Sequence, residues 1–209
     1  MRMVLTKKKK LTNVIILDAG HGGLVDGVYQ TKGKRSPIWN NGSYYFEGVG
    51  NREIVKKLTY RLQKKGIEVF NSNDSQRDLP LYKRVKNINN EIKKNKSKKY
   101  IGVSVHSNGY SSNQANGWEV FVSKNSSQES KEMAKISERH FQEEFPKSKN
   151  RGIKKSNFYI LKSTKCPFIL TENFFHTNEK ECRKILMTEE GQDKIVNFHF
   201  DFIMKYLNK

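Results

Sequence analysis

Cysteine is scarce: only Cys166 and Cys182 occur in 209 residues, and neither has a CxxC partner. That excludes a disulfide framework and a cysteine zinc site, so both read as ordinary packed or half-buried side chains. Long apolar runs are missing too. No stretch approaches the roughly 20 residues that a membrane helix requires, and stable membrane insertion is not expected. No linker rich in proline, glycine or serine divides the chain, and no repeat shows at solenoid periods, which predicts one domain with one substantial core. The apolar stretch behind the basic start covers only Val14 to Leu17, too short for the ~7–15-residue core of a signal peptide. Residues 1–12 therefore read as a basic tail and 13–209 as the domain.

Acidic residues are outnumbered: 21 Asp+Glu face 40 Lys+Arg, a formal net charge of +19. A chain this basic is drawn to polyanions. The lysines are spread out, with runs at Lys7 to Lys10 and from Lys93 to Lys99, and no zinc finger, helix-turn-helix signature or aromatic RNP pattern accompanies them. Nucleic acid is therefore not the expected partner. Attraction to an anionic surface such as a bacterial cell wall and simple compositional bias both account for the charge.

What is present alternates strand and helix patterns, the signature of an α/β layer fold with a twisted, mostly parallel sheet of about six strands flanked by helices. Strands are expected at Asn13 to Asp18, Ile67 to Asn71, Lys99 to His106, Trp118 to Ser123, Phe158 to Leu161 and Phe168 to Glu172. Helices are expected from about Asn51 to Lys65, Leu81 to Lys94, Gln128 to Phe145 and Glu189 to Leu207. Apolar residues at helical spacing support each, Gly66 ends the first, and Thr188 is placed to cap the last. Gly22 to Gly50 and Phe145 to Asn157 show no regular pattern. The first is too aromatic for a disordered linker (Tyr29, Trp39, Tyr44, Tyr45, Phe46) and should border a site, either packed on the domain or free to stack on sugar or peptide.

Three separate stretches carry groups suited to zinc. LDAGHGG (Leu17 to Gly23) and SVHSN (Ser104 to Asn108) put His21 and His106 where apolar strands stop, and FEGVGNREIV (Phe46 to Val55) supplies a carboxylate from Glu47 or Glu53. Glu53, inside the helix near its first turn, already has a structural explanation in the helix dipole; Glu47 has none. Parallel strands deliver their carboxyl ends to one sheet edge, so these residues can converge. Two imidazoles and a carboxylate make an open zinc site, and Glu172, ending the strand FILTEN, offers a second carboxylate to act on water. His140 and His199 fall on or beside apolar helix faces and read as packing residues, while His176, four beyond the expected strand end, is expected to turn away.

These residues identify a resemblance to zinc-dependent N-acetylmuramoyl-L-alanine amidases of the amidase_3 type, and more closely to the short phage endolysin members. It runs from Val14 to about Tyr206. It rests on LDAGHGG, on Glu47 with Asn51, Leu58, Leu62, Gly66 and Val69, on Leu81 to Arg84 with Asn89, on SVHSN, on NRGIK (Asn150 to Lys154) and on ILTENFFHTN. The spacing from the family's ligand glutamate to the glycine ending the next helix matches Glu47 and Gly66, which selects Glu47 over Glu53. FNSNDSQRD lacks the family's common Thr-Arg pair.

The resemblance implies a zinc amidase domain at 13–209 with one Zn²⁺ per chain on His21, Glu47 and His106. It implies Glu172 as the catalytic base, and hydrolysis of the amide between N-acetylmuramic acid and the stem-peptide L-alanine. Asn108, Arg151 and Lys154 are the implied substrate contacts, the last two pairing with stem-peptide carboxylates. The expected partner is bacterial peptidoglycan. A monomeric lysis enzyme (endolysin) made in the host cytoplasm would need a holin-type pore to reach the wall or periplasm. The alternatives are a bacterial autolysin, a zinc amidohydrolase or peptidase acting on another amide, and an inactive basic wall-binding module.

Overall fold

The computed structural model describes residues 12–209. β1 (Asn13–Ala19) leads into a small hairpin, β2 (Leu24–Val25) and β3 (Val28–Tyr29), followed by α1 (Glu47–Lys64), β4 (Glu68–Asn71) and α2 (Leu81–Lys94). Next come β5 (Lys99–Asn108), β6 (Trp118–Ser123), α3 (Gln128–Glu144), β7 (Asn150–Ser156) and a single-turn helix α4 (Tyr159–Ser163). β8 (Phe168–Phe175), α5 (Glu179–Glu181), a π-helical turn at Cys182–Leu186 and α6 (Glu189–Leu207) complete the order. The basic tail expected at residues 1–12 lies, Thr12 apart, outside the described residues.

Six strands form one sheet in the order β4-β1-β5-β8-β6-β7. Every neighbouring pair is parallel except β8 and β6. This is the α/β architecture expected from the alternating pattern. β1 is buried on both faces, which explains its unbroken apolar run.

The two faces of the sheet are covered unequally. α1, α3 and α6 pack on one, joining Ile15, Leu17, Val103, Val105, Trp118 and Ile169 in the larger core. Among the described residues the other face receives α2 and α4, whose Val85, Ile88, Ile160 and Leu161 meet Val14, Ile16, Phe168 and Leu170. Strand side chains alternate between faces, so Asp18, Ser104, His106, Glu119 and Glu172 all fall on the thinly covered side.

Three local expectations need correction. Phe158 to Leu161, read as a strand, forms the start of α4. A run of four apolar residues has no period that separates strand from helix, and tethering to α2 decides it: Asn89 donates to the Ser163 carbonyl at 2.9 Å and accepts from the Lys165 amide at 2.9 Å. The patternless stretch 145–157 contains β7, an edge strand with Gly152 at φ 81° and two lysines, a composition typical of exposed edges. α1 begins at Glu47, not Asn51, because Gly48 and Gly50 hide the apolar period of its first turn.

Candidate active site

The apolar run of β1 stops at Ala19, and the Gly20 amide bonds to the Val105 carbonyl of β5 at 3.0 Å. A side chain on Gly20 would land in the His106 imidazole, so only glycine lets the two segments come this close. His21 then adopts φ 64°, a left-handed conformation costing a non-glycine residue roughly 1–2 kcal/mol. That turn lifts its imidazole off the sheet edge, toward the start of α1.

Glu47 waits there, buried, with its amide donating to the Lys34 carbonyl at 3.0 Å. One oxygen, Oε1, lies 3.2 Å from His21 Nε2 and 3.1 Å from His106 Nδ1, and it accepts from the Ser107 amide at 3.3 Å. Burial alone would raise the Glu47 pKa, but contacts with His106 and His21 outweigh it and hold the carboxyl well below the usual range. One ligand atom from each of the three residues lies within 4.8 Å of the others. Two imidazoles crowded onto one ionised oxygen are a donor set that fits a divalent cation.

Glu172 sits opposite His106 in the parallel β5/β8 register, so both side chains share a face. It was expected to end its strand. β8 instead continues to Phe175: β6 pairs with it as far as Asn173, Asn108 of β5 pairs with Phe175, and β5 likewise runs two residues past His106. A bulge follows: His106 faces Glu172 but Asn108 faces Phe175, with Phe174 in the left-handed region at φ 64°. Bulges of this kind re-aim side chains beside active sites. Among the described residues Glu172 Oε2 is buried without a hydrogen-bond partner. Burial pushes the Glu172 pKa up to about 8; His106 opposes the rise, and Glu47 and Glu119 add to it.

All four side chains line one cleft of about 570 Å³ on the thinly covered face, walled by Leu79, Pro80, Phe158 and Tyr159. The family model for N-acetylmuramoyl-L-alanine amidases (Amidase_3) matches residues 15–205. The chain belongs to this family. It is 30% identical over 193 residues to an uncharacterized cell wall amidase of Bacillus anthracis, covering 87% of this chain and 34% of that protein, so it spans about a third of that relative's length. Among solved structures it resembles the N-acetylmuramoyl-L-alanine amidase of Clostridium difficile 630, with a TM-score of 0.77 and 28% identity over 95% of this chain and 98% of that one. It also resembles the CwlD amidase of Clostridioides difficile, solved in complex with the GerS lipoprotein, with a TM-score of 0.75 and 29% identity over 93% and 98% of the two chains.

In this amidase the three residues expected to touch substrate meet at a residue the sequence reading passed over, Glu119. Its carboxylate accepts from Asn108 Nδ2 at 2.9 Å, Arg151 Nε at 2.7 Å and Lys154 Nζ at 2.5 Å. Burial raises the Glu119 pKa, but Lys154 and Arg151 outweigh it and hold it below the usual range. A signal existed: Glu119 is the one charged residue in the otherwise apolar strand WEVFV. His176, expected to turn away, is buried beside the metal candidates, with Nδ1 3.2 Å from Ser107 Oγ and 3.9 Å from Glu47 Oε2. The extra length of β8 carries it inward.

The aromatic loop packs mainly on the domain. Trp39 and Tyr45 are buried, Tyr29 stacks on Phe46 with centroids 4.1 Å apart, and Tyr44 remains exposed. His199 is buried, as its sequence context suggested, whereas His140, read as a packing residue, is part-exposed and pairs with Glu143 at 3.0 Å; both cysteines are free.

Proposed function

We propose that this amidase hydrolyses the bond between N-acetylmuramic acid and the L-alanine of the peptidoglycan stem peptide, with one zinc ion per chain held by His21, Glu47 and His106. The observation that carries this reading is the meeting of those three side chains in one cleft with Glu172, a half-buried residue whose buried Oε2 has no hydrogen-bond partner among the described residues. A zinc ion there would supply Lewis acidity, polarising the amide carbonyl and acidifying a water molecule.

The chain's own groups do the rest. Glu172, once ionised, takes the proton of the attacking water and then delivers it to the departing alanine nitrogen. Its Oε2 has no hydrogen-bond partner among the described residues, so no neighbouring protein group competes for that proton. Leu79, Pro80, Phe158 and Tyr159 give the cleft an apolar wall against which the substrate's carbon skeleton can exclude water. Arg151 and Lys154 share Glu119 as counter-ion, so the cluster of one carboxylate and two cations keeps one positive charge for a stem-peptide carboxylate. Asn108 joins that cluster to the cleft it lines.

The lysis role extends the proposal: a net charge of +19 would hold the enzyme on an anionic wall, and a holin-type pore would admit it. The test is digestion of purified peptidoglycan with identification of the new end groups. Free L-alanine amines and newly released muramic acid carboxyls are expected. New reducing sugars, or cleavage inside the peptide, would overturn the reading. Metal analysis should find one zinc per chain, lost from His106→Ala.

A further inference from the structure

His21 serves the metal reading only if its left-handed turn is held, and one side chain grips that turn from both sides. Arg84 Nη1 donates to the Ala19 carbonyl at 2.7 Å, and its Nη2 donates to the His21 carbonyl at 2.9 Å. The same guanidinium gives Nε to the Leu79 carbonyl at 2.8 Å and lies 3.3 Å from Asp78 Oδ1 and 3.4 Å from Asp18 Oδ1. Arg84 and Asp18 are both buried, 2% and 1% exposed, so neither charge is screened by water. Asp18 is itself held by the hydroxyls of Ser104 and Ser72, which fastens the pair to the sheet.

This arrangement does more than neutralise a buried aspartate. The planar fork of arginine reaches two carbonyls flanking Gly20, while its Nε reaches the segment Asp78–Leu81 that walls the cleft. Lysine, a compact charge at the end of a flexible stem, cannot satisfy those directions together. On the other side of the turn, Asp78 Oδ2 accepts from Thr31 Oγ1 at 2.6 Å, and Thr31 Oγ1 accepts from the Gly22 amide at 2.8 Å. The backbone on both sides of His21 is thus tied to α2 and the loop before it.

We infer that Arg84 is a positioning residue that locks the His21 turn, presents the imidazole to Glu47 for metal binding, and couples the cleft wall to the metal centre. The inference rests on the metal reading above. Groups that orient a metal ligand typically contribute roughly 10–100-fold in metal affinity.

The experiment compares wild type, Arg84→Lys, Asp78→Ala and Ile88→Ala by zinc competition with a chromophoric chelator, by the visible spectrum after cobalt substitution, and by melting of the metal-free proteins. Ile88 is a buried α2 core residue with no bond to the His21 turn, so its variant reports destabilisation alone. Arg84→Lys should bind zinc roughly tenfold or more weakly, with an altered cobalt spectrum, while Ile88→Ala keeps both properties. Asp78 is surface-accessible, so Asp78→Ala should fold, with a smaller loss of affinity that tests the inference if Arg84→Lys does not fold. Wild-type affinity and spectrum in Arg84→Lys, or in Asp78→Ala should the former not fold, would overturn the inference while leaving the metal reading intact. An equal loss in Ile88→Ala would also overturn it. Failure of wild type itself to bind zinc or cobalt would instead overturn the metal reading.

Discussion

Glu119 and Glu172 face each other across what is, among the described residues, the one antiparallel seam of the main sheet, their side chains on the same face. Like charges so placed repel, and the sheet accommodates them by pairing Glu119 with Arg151 and Lys154 while the Glu172 pKa rises. Glu119→Gln removes a negative charge that raises the Glu172 pKa and releases two cations that would lower it. If Glu172 acts as base, the acidic limb of the kcat/KM profile should move to lower pH. An unmoved limb would show that the pair does not communicate.

Glu172→Gln keeps the shape of the side chain but cannot accept a proton. Turnover of a soluble muropeptide should fall roughly 10²–10⁴-fold, the usual worth of general acid–base catalysis, with zinc content unchanged. Loss of zinc together with activity would make Glu172 a ligand.

His199 supplies a stability test away from the site. Its Nδ1 donates to the Ile195 carbonyl at 2.8 Å and its Nε2 lies 2.9 Å from Thr171 Oγ1, and burial pushes its pKa down to about 4. An unfolded histidine titrates near ~6.5, so between that pH and about 4 the unfolded chain binds a proton that the folded one refuses. Stability should therefore fall as pH drops through this window, by an amount on the order of 3 kcal/mol at most. Denaturant melts of the wild type and His199→Gln at several pH values would measure it: the slope assigned to this ring should be absent from the variant.

Salt separates attraction to the wall from chemistry in the cleft. At physiological ionic strength the screening length is about 8 Å, which weakens exposed lysines far more than buried contacts. Sedimentation with cell walls and their lysis should drop with added NaCl much faster than turnover of a small muropeptide. Identical salt curves would assign the affinity to a specific sugar- or peptide-reading surface.

The parts legible in the sequence are those where one physical signal dominates. VIIL in β1 and YIGVSV in β5 are continuous apolar runs because both faces of those strands are covered, and α1, α2, α3 and α6 show helical periods along a single buried stripe. His21, His106 and Glu172 stood out as polar groups at the ends of such runs, Glu47 was selected over Glu53 by the family resemblance, and the fold brings all four to one cleft. β7 escaped notice because an edge strand buries little and carries lysines. Glu119 escaped because its meaning lies in partners 32 and 35 residues away, and His176 because only the bulged pairing of Asn108 with Phe175 reveals how far β8 extends.

The unequal dressing of the sheet separates durability from chemistry. Substitutions among Leu58, Phe141 and Phe202 strike the three-helix side and should shorten the folded lifetime without touching the reacting groups. Changes at Pro80, Phe158 or Tyr159 alter what the cleft admits while sparing that larger core. An engineer could thus select for substrate range and for heat resistance in separate libraries and combine the winners, since effects at distant sites without shared partners usually add.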